Sequence, residues 1–200
     1  SDAFRKQYRV ITEEGQWKAL LAEIQQRGRF AIDLETTAID PFRADIVGIA
    51  IATEAGQAVY IPLRHNYLGV PAQLAAEEVL SQLKPLLENP EISKIGQNLK
   101  YDMQVFQRAG IELAGIGDDT VVASYLIDPG RLSHGLDGLA LDYLGHQTVK
   151  YSDVAGSGKK QLRFDQVPVE SAGPYAAEDA DVALRLAQTL VPRLEKAGMG

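Results

Sequence analysis

The chain contains no cysteine, which excludes disulfides, thiolate metal sites and cysteine nucleophiles together. It also lacks any apolar run approaching 18 residues, so no membrane-spanning helix and no membrane partner are expected. The opening residues, SDAFRKQYRV, lack the apolar core of a signal peptide, and a cytoplasmic location is the expectation. Histidine is scarce. His65, His134 and His146 show no metal-ligand spacing and read as surface or turn residues. Positive charge is short as well: 20 Lys and Arg stand against 27 Asp and Glu, a net charge of −7. Taken alone, this argues against a nucleic-acid partner, because duplex binding rests mainly on basic side chains neutralising phosphates. That argument has an exit. A protein that grips only a strand end can use bound divalent cations as its positive charge. The carboxylates needed to hold them would make the chain acidic.

What is present suits a soluble globular unit. With 200 residues, 46% of them hydrophobic, the chain can bury a sizeable core as one domain. Residues 1–7 are expected to be a disordered or appended N-terminus, 8–197 the folded domain, and the whole a piece of a longer chain. A helix is predicted from Thr12, its N-cap, to about Arg27, where Gly28 ends it. Strands follow at Phe30–Leu34, Ile46–Ala52 and Ala58–Pro62, and three strands in quick succession suggest an antiparallel meander. Then come a helix over Leu74–Leu87, a strand over Ile92–Gly96 and a helix over Leu99–Ala109, closed by Gly110. Further helices are predicted at Thr120–Leu126, Leu136–Leu144 and Tyr175–Lys196. Tyr151–Gln166, rich in Gly, Lys and Ser, reads as a loop. The order β-β-β-α-β-α, then more helices, predicts an α/β fold with a mixed sheet flanked by helices.

Three acidic clusters carry chemistry. In Phe30-Ala-Ile-Asp-Leu-Glu-Thr-Thr, Asp33 and Glu35 are two apart, so a strand projects both to one face. Two carboxylates held this close repel each other unless a cation sits between them. Alone, such a pair could mark no more than a strand-to-loop transition. In Lys94-Ile-Gly-Gln-Asn-Leu-Lys-Tyr-Asp, Asn98 and Asp102 share a helix face, and Asn98 also reads as an N-cap. Asp102 has the core-like neighbours Val105 and Phe106. In Pro174-Tyr-Ala-Ala-Glu-Asp-Ala-Asp-Val, Tyr175 and Asp179 share a helix face, with Pro174 suited to the first turn. Glu178 and Asp181 read as solvated helix charges or first-turn dipole partners.

Together, the order and spacing of these clusters resemble the exonuclease motifs of the DEDD superfamily, on an RNase H-like fold. Asp33 and Glu35 match the first motif, Asp102 the second and Asp179 the third. Tyr175 matches the tyrosine that defines the DEDDy branch; the sister branch carries histidine where this chain has Pro174. Ile61-Pro-Leu, Gly96-Gln-Asn-Leu-Lys-Tyr-Asp, Gly110-Ile-Glu-Leu, Gly158-Lys-Lys-Gln-Leu-Arg-Phe and Tyr175-Ala-Ala-Glu-Asp-Ala-Asp resemble the proofreading domain of bacterial family A DNA polymerases. This resemblance runs from about Tyr8 to Lys196. It implies a 3′→5′ exonuclease that acts on the 3′ end of single-stranded DNA beside a polymerase domain of the same parent chain. It also implies two divalent metal ions, Mg²⁺ or Mn²⁺, held by Asp33, Glu35, Asp102 and Asp179, with Tyr175 and Glu35 orienting the attacking water. Ile39 and Phe164 match side chains that wall the terminal bases, and Gln97, Asn98 and Tyr101 match contacts to the strand end. Ser133 stands where relatives carry a DNA-contacting arginine, for which Arg131 is the expected substitute.

Other signals are poor. Gly156-Ser-Gly-Lys-Lys does not make a phosphate-binding loop, because Asp153 and Lys160 occupy positions that need Gly and Ser or Thr. No serine has a GxSxG-type setting. Two alternatives stay open: an RNA-trimming exonuclease similar to ribonuclease D, and a catalytically silent domain that only spaces a polymerase.

Overall fold

The structure is a computed structural model that describes residues 6–199. Its strands are β1 (Gln7–Val10), β2 (Arg29–Thr36), β3 (Ile46–Glu54), β4 (Gln57–Pro62), β5 (Ser93–Gly96) and β6 (Ile116–Asp119). Its α-helices are α1 (Glu14–Arg27), α2 (Ala76–Leu87), α3 (Leu99–Arg108), α4 (Thr120–Ile127), α5 (Leu136–Leu144), α6 (Tyr151–Ala155) and α7 (Val169–Lys196). The strands form one sheet in the order β1-β4-β3-β2-β5-β6. β2, β3 and β4 make the expected antiparallel meander. β1 joins β4 in parallel, β5 joins β2 in parallel and β6 joins β5 in parallel. The sheet is mixed and flanked by helices, as the element order predicts.

Alternation along the strands sorts side chains by size onto two faces. Phe30, Ile32 and Leu34 of β2 and Ile49 and Ile51 of β3 pack under Trp17 and Ile24 of α1, Leu83 of α2 and Phe106 of α3. The opposite face is rich in small residues, beside Val47, Tyr60 and Ile95. Ala31, Ala50, Ala52 and Ala58 meet Ala172, Ala176, Ala177 and Ala180 of α7. With little side chain between them, helix and sheet backbones approach closely. Gly173 continues this logic, since a Cβ there would lie 2.5 Å from Val10 Cγ2. α4 and α5 add a satellite core, with Ala123, Leu139 and Ala140 against Leu186, Leu190 and Leu194 of α7.

The structure departs from the sequence expectations at several points. β1 and β6 were not expected: each has four residues and lies at a sheet edge. Of the stretch expected to be disordered, residues 1–5 lie outside the described residues, while Gln7 opens β1. The N-cap of α1 is Glu13, not Thr12, and no side chain caps it. α6 forms inside the expected loop. α7 starts at Val169 rather than Tyr175, because Ser171 N and Ala172 N already bond to Pro168 O at 3.0 and 2.8 Å. Pro174 is therefore inside the helix, where its missing N–H forfeits the bond to Glu170 O near the helix start.

Candidate active site

Because Phe30, Ile32 and Leu34 face α1 and α3, Asp33 and Glu35 face α7. Asp33 and Glu35 pair with Ala50 and Gly48 of β3, and β5 pairs with the stretch of β2 just before them, which gives these carboxylates a rigid base. The alanine contact brings α7 close, and Asp179 on that helix completes a trio. Carboxylate oxygens of Asp33, Glu35 and Asp179 lie within 4.8 Å of one another. Asp102 comes from α3, the helix after β5. It is 3% exposed, and its Oδ2 is buried without a hydrogen-bond partner. It lies outside the trio by that distance criterion, but Asp33 raises its pKa and it raises that of Glu35.

No described lysine or arginine forms an ion pair with any of the four. Their proton affinities record this. Burial pushes Asp33 up to about 6. Burial first, then the charges of Asp33 and Asp179, hold Glu35 well above the usual carboxylate range. Asp102 and Asp179 are raised in the same way, by burial and then by Asp33. Acids placed together without a counter-charge, one with an orphaned oxygen, fit a cation. An all-carboxylate donor set fits a hard one such as Mg²⁺ or Mn²⁺.

Tyr175 stands one helical turn before Asp179. Burial, then the charges of Asp179, Glu35 and Asp33, raise its pKa far above the ordinary 10.0, so at neutral pH it carries its proton. It lines a cleft of about 780 Å³ together with Thr36–Ile39, Tyr101, Tyr151 and Gln161–Arg163. That volume is in the range of small-ligand pockets. Ile39 is 95% exposed and stands free at the cleft. Tyr101 Oη donates to Ala38 O at 2.6 Å and lies 2.6 Å from Thr36 Oγ1, tying α3 to the loop that carries Ile39.

Other expected site residues are placed differently. Phe164 is 1% exposed, packed among Tyr60, His65, Tyr151 and Tyr175, and cannot meet a base from there. Of the aromatic residues in the segment 151–166, Tyr151 and not Phe164 lines the cleft, beside Tyr101 and Tyr175, and sequence reasoning missed it. The available signal was an aromatic residue inside a polar segment, and Phe164 offered the same one. Asn98 sits at the N-cap of α3 with φ 59°, but its side chain caps nothing. Instead Asp119 accepts from Asn98 N at 3.1 Å and Leu99 N at 2.7 Å, and from Val121 N of α4 at 2.9 Å. One carboxylate thus caps two helices. Gln97 is committed to His134 O at 2.9 Å and to Thr120 Oγ1. Arg131 pairs with Asp142 at 2.6 Å and donates to Ser133 O, and it is not among the residues lining the cleft.

Glu178 and Asp181 are not solvated charges. Asp181 is 0% exposed and accepts from Tyr8 Oη at 2.6 Å, Gly56 N at 2.8 Å and Arg185 Nε at 3.0 Å. Glu178 is 2% exposed and accepts from Val149 N at 2.7 Å, with His146 Nε2 at 3.2 Å. Two histidines expected at the surface are buried. His65 contacts Val167 O and Tyr60 Oη, and His134 contacts Ser124 Oγ.

The fold that holds this site is RNase H-like. Brucella melitensis NrnC superposes with a TM-score of 0.70 at 22% identity, covering 98% of this chain and 84% of that one. The family follows from sequence: a model described as 3′-5′ exonuclease matches residues 8–195, and the chain belongs to that family. It is 48% identical over 190 residues to DNA polymerase I of Pseudomonas aeruginosa, covering 94% of this chain and 21% of the relative. It is 41% identical over 196 residues to DNA polymerase I of Rhizobium leguminosarum, covering 90% and 19%. The chain spans about a fifth of the length of these relatives.

Proposed function

We propose that this chain is the proofreading unit of a DNA polymerase I, residues 8–197 forming the exonuclease domain of a longer chain. It hydrolyses the terminal phosphodiester of single-stranded or frayed DNA in the 3′→5′ direction, releasing 5′-nucleotides. One observation carries this reading. Carboxylate oxygens of Asp33, Glu35 and Asp179 crowd within 4.8 Å, unpaired with any described basic side chain, and Glu35 lines a cleft large enough for a nucleotide.

In this reading Asp33, Glu35 and Asp179 hold a divalent cation and Asp102 supports a second. When bound, the pair supplies neutralising charge at the phosphoryl group and acidity for the attacking water. Tyr175 is too weak an acid to serve as a base at neutral pH. As a fixed O–H donor beside Glu35, it orients the water. Ile39 and Tyr151 wall the terminal base, and stacking on a ring tolerates any sequence. A mismatched end reaches the cleft more readily because less unpairing opposes it. A strand-end grip relying on cations also accounts for DNA chemistry in a chain of net charge −7.

The test is incubation of the protein with a 3′-labelled DNA single strand and the matching RNA, with Mg²⁺ and then with excess chelator. Labelled 5′-mononucleotide released from DNA, and stopped by chelator, is the expected result. Preference for the RNA, or release that survives chelation, would overturn the proposal.

A further inference from the structure

Glu178 adjoins Asp179 in sequence but projects elsewhere. We infer that Glu178 is a positioning residue that acts through Tyr151, by tethering the segment 146–150 to the same helix that carries Asp179; the inference rests on the nuclease reading above. Both carboxylate oxygens of Glu178 are engaged by this segment, one by Val149 N at 2.7 Å and the other by His146 Nε2 at 3.2 Å. A second tether pulls from α5, where Asp137 Oδ1 accepts from Thr148 Oγ1 at 2.6 Å. Thr148 is 6% exposed, between flanking residues that face solvent. The next element is α6, whose first residue is Tyr151.

Tyr151 is half-buried at the margin of the alanine-rich core. Its ring rests on Phe164 at 6.2 Å and meets Tyr175 edge-on at 6.1 Å, and its hydroxyl reaches Leu162 O at 3.2 Å. The backbone entering it is held by the two long-range carboxylate tethers and, locally, by the bond from Lys150 N to Asp153 Oδ2 at 2.9 Å. A buried carboxylate accepting a backbone N–H makes a charge-assisted bond stronger than a neutral one. The run Glu178-Asp179 therefore does two jobs from one helical turn. Asp179 faces the acidic trio, and Glu178 sets where the stacking ring stands relative to it. The consequence for catalysis is on capture of the terminal base rather than on the chemical step.

Two measurements test this. In the apo protein, hydrogen exchange of residues 146–151 reads the tether without any activity. Glu178→Ala and Thr148→Val should each speed exchange there, and Glu178→Gln, which keeps an acceptor, should restore most of the protection. Unchanged exchange in both variants would overturn the tether even if the nuclease reading stands. With a 3′-ended DNA strand, Glu178→Ala should raise KM about tenfold with a smaller change in kcat. In a Tyr151→Ala background the same substitution should change KM less than about twofold, because the group through which it acts is gone. If Glu178→Ala fails to fold, Thr148→Val carries the same comparison with an expected threefold rise in KM. KM effects that multiply independently with Tyr151→Ala, or a loss confined to folded yield, would overturn the assignment. Absence of DNA cleavage by the wild-type protein would instead remove the nuclease reading and leave the exchange result to decide the tether.

Discussion

α7 carries two kinds of acid within four residues. Glu178 and Asp181 are enclosed by donors, and Asp181 accepts three hydrogen bonds. Asp179, between them, is half-buried and gathers with Asp33 and Glu35 at the helix–sheet contact. Helical geometry turns each residue by about 100°, so neighbours in sequence face different surroundings. The satisfied acids join distant parts of the chain. The clustered ones repel one another and should lower the stability of the apo protein, and Asp102 Oδ2 has no hydrogen-bond partner. A carboxylate sealed among donors is structural, and one half-buried among other acids fits a ligand.

Substitutions should therefore act with opposite signs in the two sets. The largest expected effect is Asp33→Asn, which should lower nucleotide release by about 10³-fold or more, on the scale of lost electrostatic stabilisation at a reacting phosphate. The same change should raise the apo melting temperature, because it removes one charge from a repelling cluster. A drop in melting temperature would dissolve the contrast. Tyr175→Phe should lower kcat about 10²-fold, the scale of a lost proton-positioning group, and leave cation binding intact. Calorimetric titration with Mn²⁺ beside the rate measurement checks both halves.

Asp181→Ala should cost about 3 kcal/mol of stability, since it strands Gly56 N and the Tyr8 hydroxyl, both of which donate to it, while kcat per folded molecule stays near wild type. Denaturant melts and active-site-normalised rates would show whether Asp181 is structural in this sense. Saturating Mn²⁺, at 100 times its dissociation constant, should add about 2.7 kcal/mol to the wild type and nothing comparable to Asp33→Asn. For a domain of this size that is a shift of roughly 5–10 °C.

The smallest effect concerns pH. Asp33 has a folded pKa of about 6 against an ordinary 3.8, so its penalty is fully felt above pH 6 and absent below 3.8. The native state binds more protons in that window, so stability from this group rises as pH falls. The melting-temperature gap between Asp33→Asn and wild type should accordingly close on acidification from pH 7 to 4. His65 works the other way. Burial lowers its pKa from 6.5, so its contribution is lost as pH falls below that value. The comparison between variants removes it, since both chains keep His65.

Local periodicity made much of this legible. Alternation along β2 and β3 sorted the core from the acids, and four-residue spacing placed Tyr175 with Asp179 on one helix face. What it could not show depends on partners far along the chain. Nothing near Asp181 announces Tyr8 or Gly56, and nothing near Glu178 announces Val149. Phe164 and Tyr151 were indistinguishable because both sit in a polar, aperiodic stretch, and only packing against Tyr60 and His65 separates the buried ring from the one at the cleft. The short edge strands β1 and β6 fell below the length at which alternation can be read. The start of α7 was hidden by Pro174, which marked a plausible first turn where the chain was already helical.

The shared cap at Asp119 has a dynamic consequence. Its oxygens hold the first turns of α3 and α4 at once, so fraying at one end releases a restraint on the other. The two turns should open as a single cooperative unit, and amide protection at Leu99 and Val121 should rise and fall together across variants. Asp102, on the first turn of α3, then owes its immobility to a residue at the outer margin of the sheet.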